Sequence, residues 1–286
     1  MSYQIVTDSA CDYPSQMYKE LDLVSAPLTV LYKGESYTEY PESFLKELFD
    51  GLRVGESAST SAINPEGWSN VIEPVLAAGK DALVLTFSSG LSATYQSAMI
   101  AADELQEKYP ERKILVVDTL CASLGQGLLV WYACKKRDEG MDLEELASWC
   151  ENNRQNLCHW FTVDDLMCLK RGGRIGAASA MIGTMLQIKP VLKVNEEGRL
   201  INTAKVRGRK ASIEKLVSLM GETQIPAEND TVFICHGDCQ EDAEYLAQRV
   251  KEEYGVKDVL IYYVGAVIGA HSGPGTLALF YIGQHR

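Results

Sequence analysis

Four short polar segments carry the residue types that can hold an anion. In TFSSGLSATYQ (86–96), Gly90 permits an unusual backbone angle, and Ser88, Ser89 and Ser92 bring hydroxyls to the start of a coming helix. Free N–H groups and the helix dipole there can hold a carboxylate or a phosphate, although Ser92 could equally do no more than cap the helix. SASTSAINP (57–65) places Thr60 and Ser61 just before a helix start, a position where serine-rich turns are also ordinary. KRGGRIG (170–176) sets Arg171 and Arg174 among three glycines in an otherwise acidic chain. Either guanidinium can fork onto a carboxylate or steady hydroxyls that do so; the plainer alternative is a helix link with an arginine paired to a surface carboxylate. GAHSGPG (269–275) is read as a loop in which His271 can hydrogen-bond a ligand or merely the backbone.

Other chemistries fit poorly. KRGGRIG lacks the G-x-x-x-x-G-K-S/T order of a P-loop, no G-x-G-x-x-G follows the first strand, and no G-x-S-x-G marks an esterase nucleophile. Cys235, His236 and Cys239 lie close together without a second pair at structural-zinc spacing, so neither a metal nor another cofactor is expected. His159 and His236 adjoin apolar runs and read as core or edge residues, and His285 as solvated. No catalytic residue is assigned.

These segments must be positioned by regular elements. The 286 residues suit one large domain or two moderate ones, and 46% hydrophobic content provides a core. A net charge of -12 disfavours nucleic acid and anionic membrane surfaces as partners. No apolar run approaches a membrane span, so no stable membrane insertion is expected. The start MSYQIVTD lacks the pattern of a secretory signal, and eight scattered cysteines suit small core residues, so a reducing cytoplasmic setting is expected.

Segments 3–8, 27–32, 81–87 and 112–118 read as strands; the last two are nearly continuous in Ile, Leu and Val, as in buried parallel sheets. A helix over about 92–108 lies between them and makes a βαβ unit. Asn64 and Pro65 open another helix, and helical patterns cover about 124–137 and 142–156. In the second half, Thr162 and Asp165 are expected to cap a short helix, and 178–188 reads as an apolar helix. Two strands then follow, joined by a turn at Glu197-Gly198, and later come a helix over RKASIEKLVSLM, strands at 231–237 and 258–265 with a helix between, and a terminal strand. The reading is an α/β protein of two domains, 1–157 and 158–286, with a mainly parallel sheet in the first and mixed strands in the second.

At full length the chain resembles the DegV family of bacterial fatty-acid-binding proteins. The resemblance is carried by VTDSACDYP (6–14), STS (59–61), SSGLSATYQSA (88–98), VVDTLCASLGQG (116–127), LKRGGRIG (169–176), IGTMLQIKPVL (182–192), KVRGRKASI (205–213) and GAHSGPG (269–275), in order. It implies a DegV-like two-domain fold in which a long-chain fatty acid is held with its acyl chain buried. Thr60 and Ser92 would contact the carboxylate, aided by Ser61 and the amides near Gly90. Arg174 and His271 would support that end, with Arg171 as the alternative arginine. Met181, Met185 and Leu186 are candidate tunnel wall. The resemblance further implies a non-catalytic subunit of a fatty acid kinase, whose separate ATP-binding subunit phosphorylates the bound carboxylate. An autonomous hydrolase or transferase using the same crevice and a lipid-dependent regulatory protein remain alternatives. Ala93 departs from the glycine frequent in the family, and Trp68, within the divergent SAINPEGW, is expected to reshape the tunnel entrance or a partner surface.

Overall fold

The computed structural model describes residues 3–176 and 187–286 and shows a mixed α/β protein with three sheets. The first sheet is parallel, in the order Val24–Ala26, Tyr3–Asp8, Asp81–Thr86, Ile114–Asp118, with Val6 opposite Val84 and Val84 opposite Val116. Every residue of Tyr3–Asp8 is buried, because a parallel sheet built from crossover connections has elements packed on both faces. Helix Thr94–Lys108 supplies the crossover between the last two strands.

Residues beyond Asn156 build a six-stranded mixed sheet: Leu200–Arg207, Ile188–Val194, Leu157–Thr162, Leu277–Ile282, Thr231–His236 and Asp258–Tyr263. Only its last two neighbours run parallel. Helix Leu124–Asp138 packs on the inner strands of this sheet, so a buried core cluster runs continuously from one sheet to the other.

The third sheet corrects the sequence reading. Thr29–Tyr32 does not join the parallel sheet; it pairs antiparallel with both Glu35–Tyr37 and Ala58–Ser61. Lys33 and Gly34 both take positive φ, which gives the right-handed twist of a tight hairpin. The serine-rich segment before Asn64 is therefore a strand, not a plain turn. Its run of small polar residues hid the alternation that the pairing with Thr29–Tyr32 reveals.

Several helix ends differ as well. The helix expected from Ser92 opens at Thr94. Thr162 is a strand residue whose hydroxyl donates to the Pro190 carbonyl, and Asp165 alone receives the Met167 amide at the short helix Met167–Arg171. His271 lies in the last turn of helix Ala266–Ser272, not in a loop. The apolar stretch from 178 falls largely outside the described residues, as do Met181, Met185 and Leu186, and Ile188 begins a strand. Helix Glu42–Arg53 was not read from the sequence. Asn64 and Asp142 cap as expected, accepting from the Gly67 and Glu145 amides.

Trp68 lies at no entrance. It is fully buried in helix Pro65–Ala77 and donates from its indole nitrogen to the Thr94 carbonyl at 3.0 Å. That bond ties the start of the helix that follows Ser92 to the core. Trp68→Ala is expected to cost about 3–5 kcal/mol of unfolding free energy, read by urea denaturation.

Candidate functional site

A cavity of about 270 Å³ lies between the carboxyl edge of the parallel sheet and the inner face of the mixed sheet. Phe161 and His159 face it from one strand, and Ala278 and Phe280 from its neighbour, following the two-residue period of β structure. Leu28, Phe87, Leu91, Val194, Leu200 and Val267 make the lining predominantly apolar. Thr60, Ser92, Arg174 and His271 all line it as well, from four separate segments.

Thr60 Oγ1 and His271 Nε2 are 2.7 Å apart. Burial, and then the charge of Arg174, push the His271 pKa down to about 4, so the ring is neutral near pH 7. With the proton on Nε2, His271 donates to the Thr60 oxygen and leaves the Thr60 hydroxyl hydrogen free to donate onward. The ring can sit there because position 172 is glycine: a Cβ at Gly172 would lie 2.2 Å from Nδ1.

Arg174 donates from Nε to the Leu91 carbonyl at 3.3 Å and from Nη1 to the Gly172 carbonyl. Among the described residues no carboxylate pairs with it, although burial disfavours its charge. A partly buried guanidinium that the described residues hold by carbonyls, beside a neutral histidine, leaves a net positive end to an apolar cavity. An amphipathic anion matches that pattern.

Ser92 Oγ receives the Thr94 amide at 3.3 Å and lies 2.8 Å from Thr94 Oγ1, so it holds the helix start while also facing the cavity. The loop it belongs to is fixed by two carboxylates that sequence reasoning passed over. Asp8 receives the Phe87 amide at 2.7 Å, and Asp118 receives the Ser89 amide at 3.1 Å. Both stand at strand carboxyl ends, where an isolated Asp in VTD or VVD is the available signal.

Three expected contributors are placed elsewhere. Ser61 is exposed, on the opposite side of its strand from Thr60, and does not line the cavity. Gly90 does not line it either; its amide donates to Ser88 Oγ at 3.2 Å, and the Leu91 and Ser92 amides both go to the Ser88 carbonyl. The amides near Gly90 are thus spent inside the loop. Glycine is required there because a Cβ would lie 2.6 Å from the Glu197 carbonyl of the opposing turn. Arg171 is exposed, donates to Cys168 Sγ at 3.2 Å, and borders a neighbouring recess of about 320 Å³ that Thr60, Arg174 and His271 also line.

Fold and site together define a class: α/β proteins with a parallel and a mixed sheet enclosing an apolar cavity with a cationic polar end. The family model described as an uncharacterised protein of the DegV family matches residues 2–284, and the chain belongs to the DegV family. It is 46% identical over 99% of its length to a DegV domain-containing protein of Clostridium perfringens, covering 98% of that protein. Among solved structures it resembles a DegV family protein of Thermus thermophilus described by its fatty acid binding, with 33% identity, a TM-score of 0.88, and coverage of 99% of this chain and 100% of that one. A Streptococcus pneumoniae protein, fatty acid kinase B3 loaded with linoleic acid, shares the fold at 22% identity and a TM-score of 0.85, over 99% of both chains.

The neutral state of His271 has a measurable consequence. A histidine whose folded pKa is about 4, below its unfolded value, contributes stability that is fully present above about pH 6.5 and lost as pH falls towards 4. The difference in Tm between the lipid-free protein and His271→Gln is expected to shift steadily against the wild type over that interval. A difference independent of pH would contradict the assignment.

Proposed function

We propose that this protein binds a long-chain fatty acid, with the carboxylate at Thr60, Ser92 and Arg174 and the acyl chain in the apolar cavity. The observation that carries the reading is Arg174, a partly buried cation without a carboxylate partner among the described residues, at the polar end of an otherwise greasy space. Each methylene removed from water contributes roughly 0.8 kcal/mol, while an ionised head cannot be buried unpaired. The Thermus thermophilus relative, described by its fatty acid binding, supports the same ligand class.

On this reading the protein delivers its ligand to a separate ATP-dependent kinase subunit for acyl phosphate formation. The recess beside Arg171, which shares Thr60, Arg174 and His271 with the cavity, offers a path to the carboxylate from outside. Residues 1–157 and 158–286 are the two units that meet at the ligand, and the cytoplasm is the compartment in which such a carrier would work. No helix among the described residues is long and apolar enough to cross a membrane.

Hydrolase or transferase chemistry would need His271 as a base. His271 pairs with Thr60 rather than Ser92, and the charge beside it is the Arg174 cation, which lowers its basicity. The arrangement favours holding negative charge over abstracting a proton.

Native mass spectrometry with lipid extraction, followed by calorimetric titration of the delipidated protein with palmitate, tests the proposal. Copurified fatty acid is expected. Arg174→Met should weaken palmitate binding about tenfold or more, while Arg171→Met should leave it within about twofold. Absence of lipid together with no binding of any chain length would refute it.

A further inference from the structure

Helix Ala266–Ser272 walls the cavity with Val267, Ile268 and His271 and touches the first half of the chain at both ends. Its last turn meets Thr60 through His271. At its start Gly265 lies against Asp12: a Cβ there would be 2.1 Å from Asp12 Oδ1. This oxygen has no hydrogen bond of ordinary geometry, while Asp12 Oδ2 receives the Ser123 hydroxyl.

Ser123 itself lines the cavity at φ 55° and ψ −150°, a conformation that L residues rarely adopt, and its Oγ is 3.3 Å from Cys235 Sγ, another lining group. Asp12 therefore stands one side chain behind the cavity wall. The titratable groups facing it are Asp8 on the first strand, neighbouring Cys11, Tyr18, Tyr40, Cys235 and Tyr262. None is a cation.

We propose that Asp12 is a proton-responsive positioning residue of the lipid cavity, its carboxyl set between Ser123 and the head of the helix that bears His271, so that ligand affinity depends on pH. The inference rests on the fatty-acid reading above. Complete burial raises the Asp12 pKa to about 7, so the acid is poised between its two states. An acyl chain lying against Ser123 and Cys235 would place apolar surface one side chain from Asp12 and make its surroundings less polar. That favours the neutral acid further. By linkage, the neutral form must then bind lipid more tightly, and binding near neutral pH must take up protons.

Calorimetric titration with palmitate between pH 6 and 9, in buffers of different ionisation enthalpy, tests this. The wild type is expected to take up a fraction of a proton near pH 7 and to bind about fivefold more weakly at pH 8.5 than at 6.5. Asp12→Asn should bind with a flatter pH profile and without that uptake, whereas a change in packing alone would move affinity at every pH equally. Equal proton uptake in both proteins would overturn the proposal. Carbon-13 carboxyl NMR of the wild type provides a second reading that needs no variant. The Asp12 midpoint should rise on lipid loading, and an unmoved midpoint would overturn the role. A wild type that binds no palmitate at any pH would instead bring down the fatty-acid reading itself.

Discussion

One positive charge in an apolar setting organises the rest of the site. Arg174 is drawn partly out of water, and the described residues offer it carbonyl oxygens rather than a counter-ion. A carboxylate supplied by the protein would have neutralised it and left a cavity suited to neutral lipids. Keeping His271 uncharged completes the arrangement, because a second cation there would itself be drawn out of water and would repel Arg174. The neutral ring then pairs with the Thr60 hydroxyl rather than adding a second charge.

The fold holds that charge in place by joining segments distant in sequence. Strand ends at Asp8 and Asp118 fix the loop bearing Ser92, and Ser88 Oγ reaches across to the Gly198 carbonyl at 2.8 Å. The turn at Glu197-Gly198 closes on Gly90 so tightly that any side chain there would collide with backbone. Further bonds cross between the two halves at Arg53–Asp238 and from Arg286 to the Leu120 carbonyl. The cavity wall is thus shared between the two halves, and its polar end is assembled only when they meet.

Much of this was legible from residue types. Nearly continuous Ile, Leu and Val runs marked the buried parallel strands, and Asn64-Pro65 and Asp142 marked their helix starts, because these signals act locally. For the site, residue types left Ser92 beside Ser88 and Ser89, Thr60 beside Ser61 and Arg174 beside Arg171; the family resemblance narrowed these to Thr60, Ser92 and Arg174 with His271, and the structure brings those four to one cavity. What stayed hidden depended on partners far away in sequence. The strand at Ala58–Ser61 is stabilised by pairing with Thr29–Tyr32, not by its own composition. Ser61 faces away because of that register, and the need for glycine at 90 and 172 comes from backbone and ring atoms over a hundred and almost a hundred residues distant, respectively. Asp12 has no local signal beyond its place in VTDSACDYP, because its burial depends on Gly265, far away in sequence.

The most direct measurement follows the ligand's own head group. Palmitate labelled with carbon-13 at its carboxyl, loaded into the protein and titrated by NMR, reports the charge state at the polar end. If Arg174 and the Thr60–His271 pair hold an ionised head, the bound carboxyl stays deprotonated well below the pH at which the free acid titrates, and Arg174→Met moves the midpoint upward. A bound carboxyl that titrates as in water, or one indifferent to Arg174, would contradict the account.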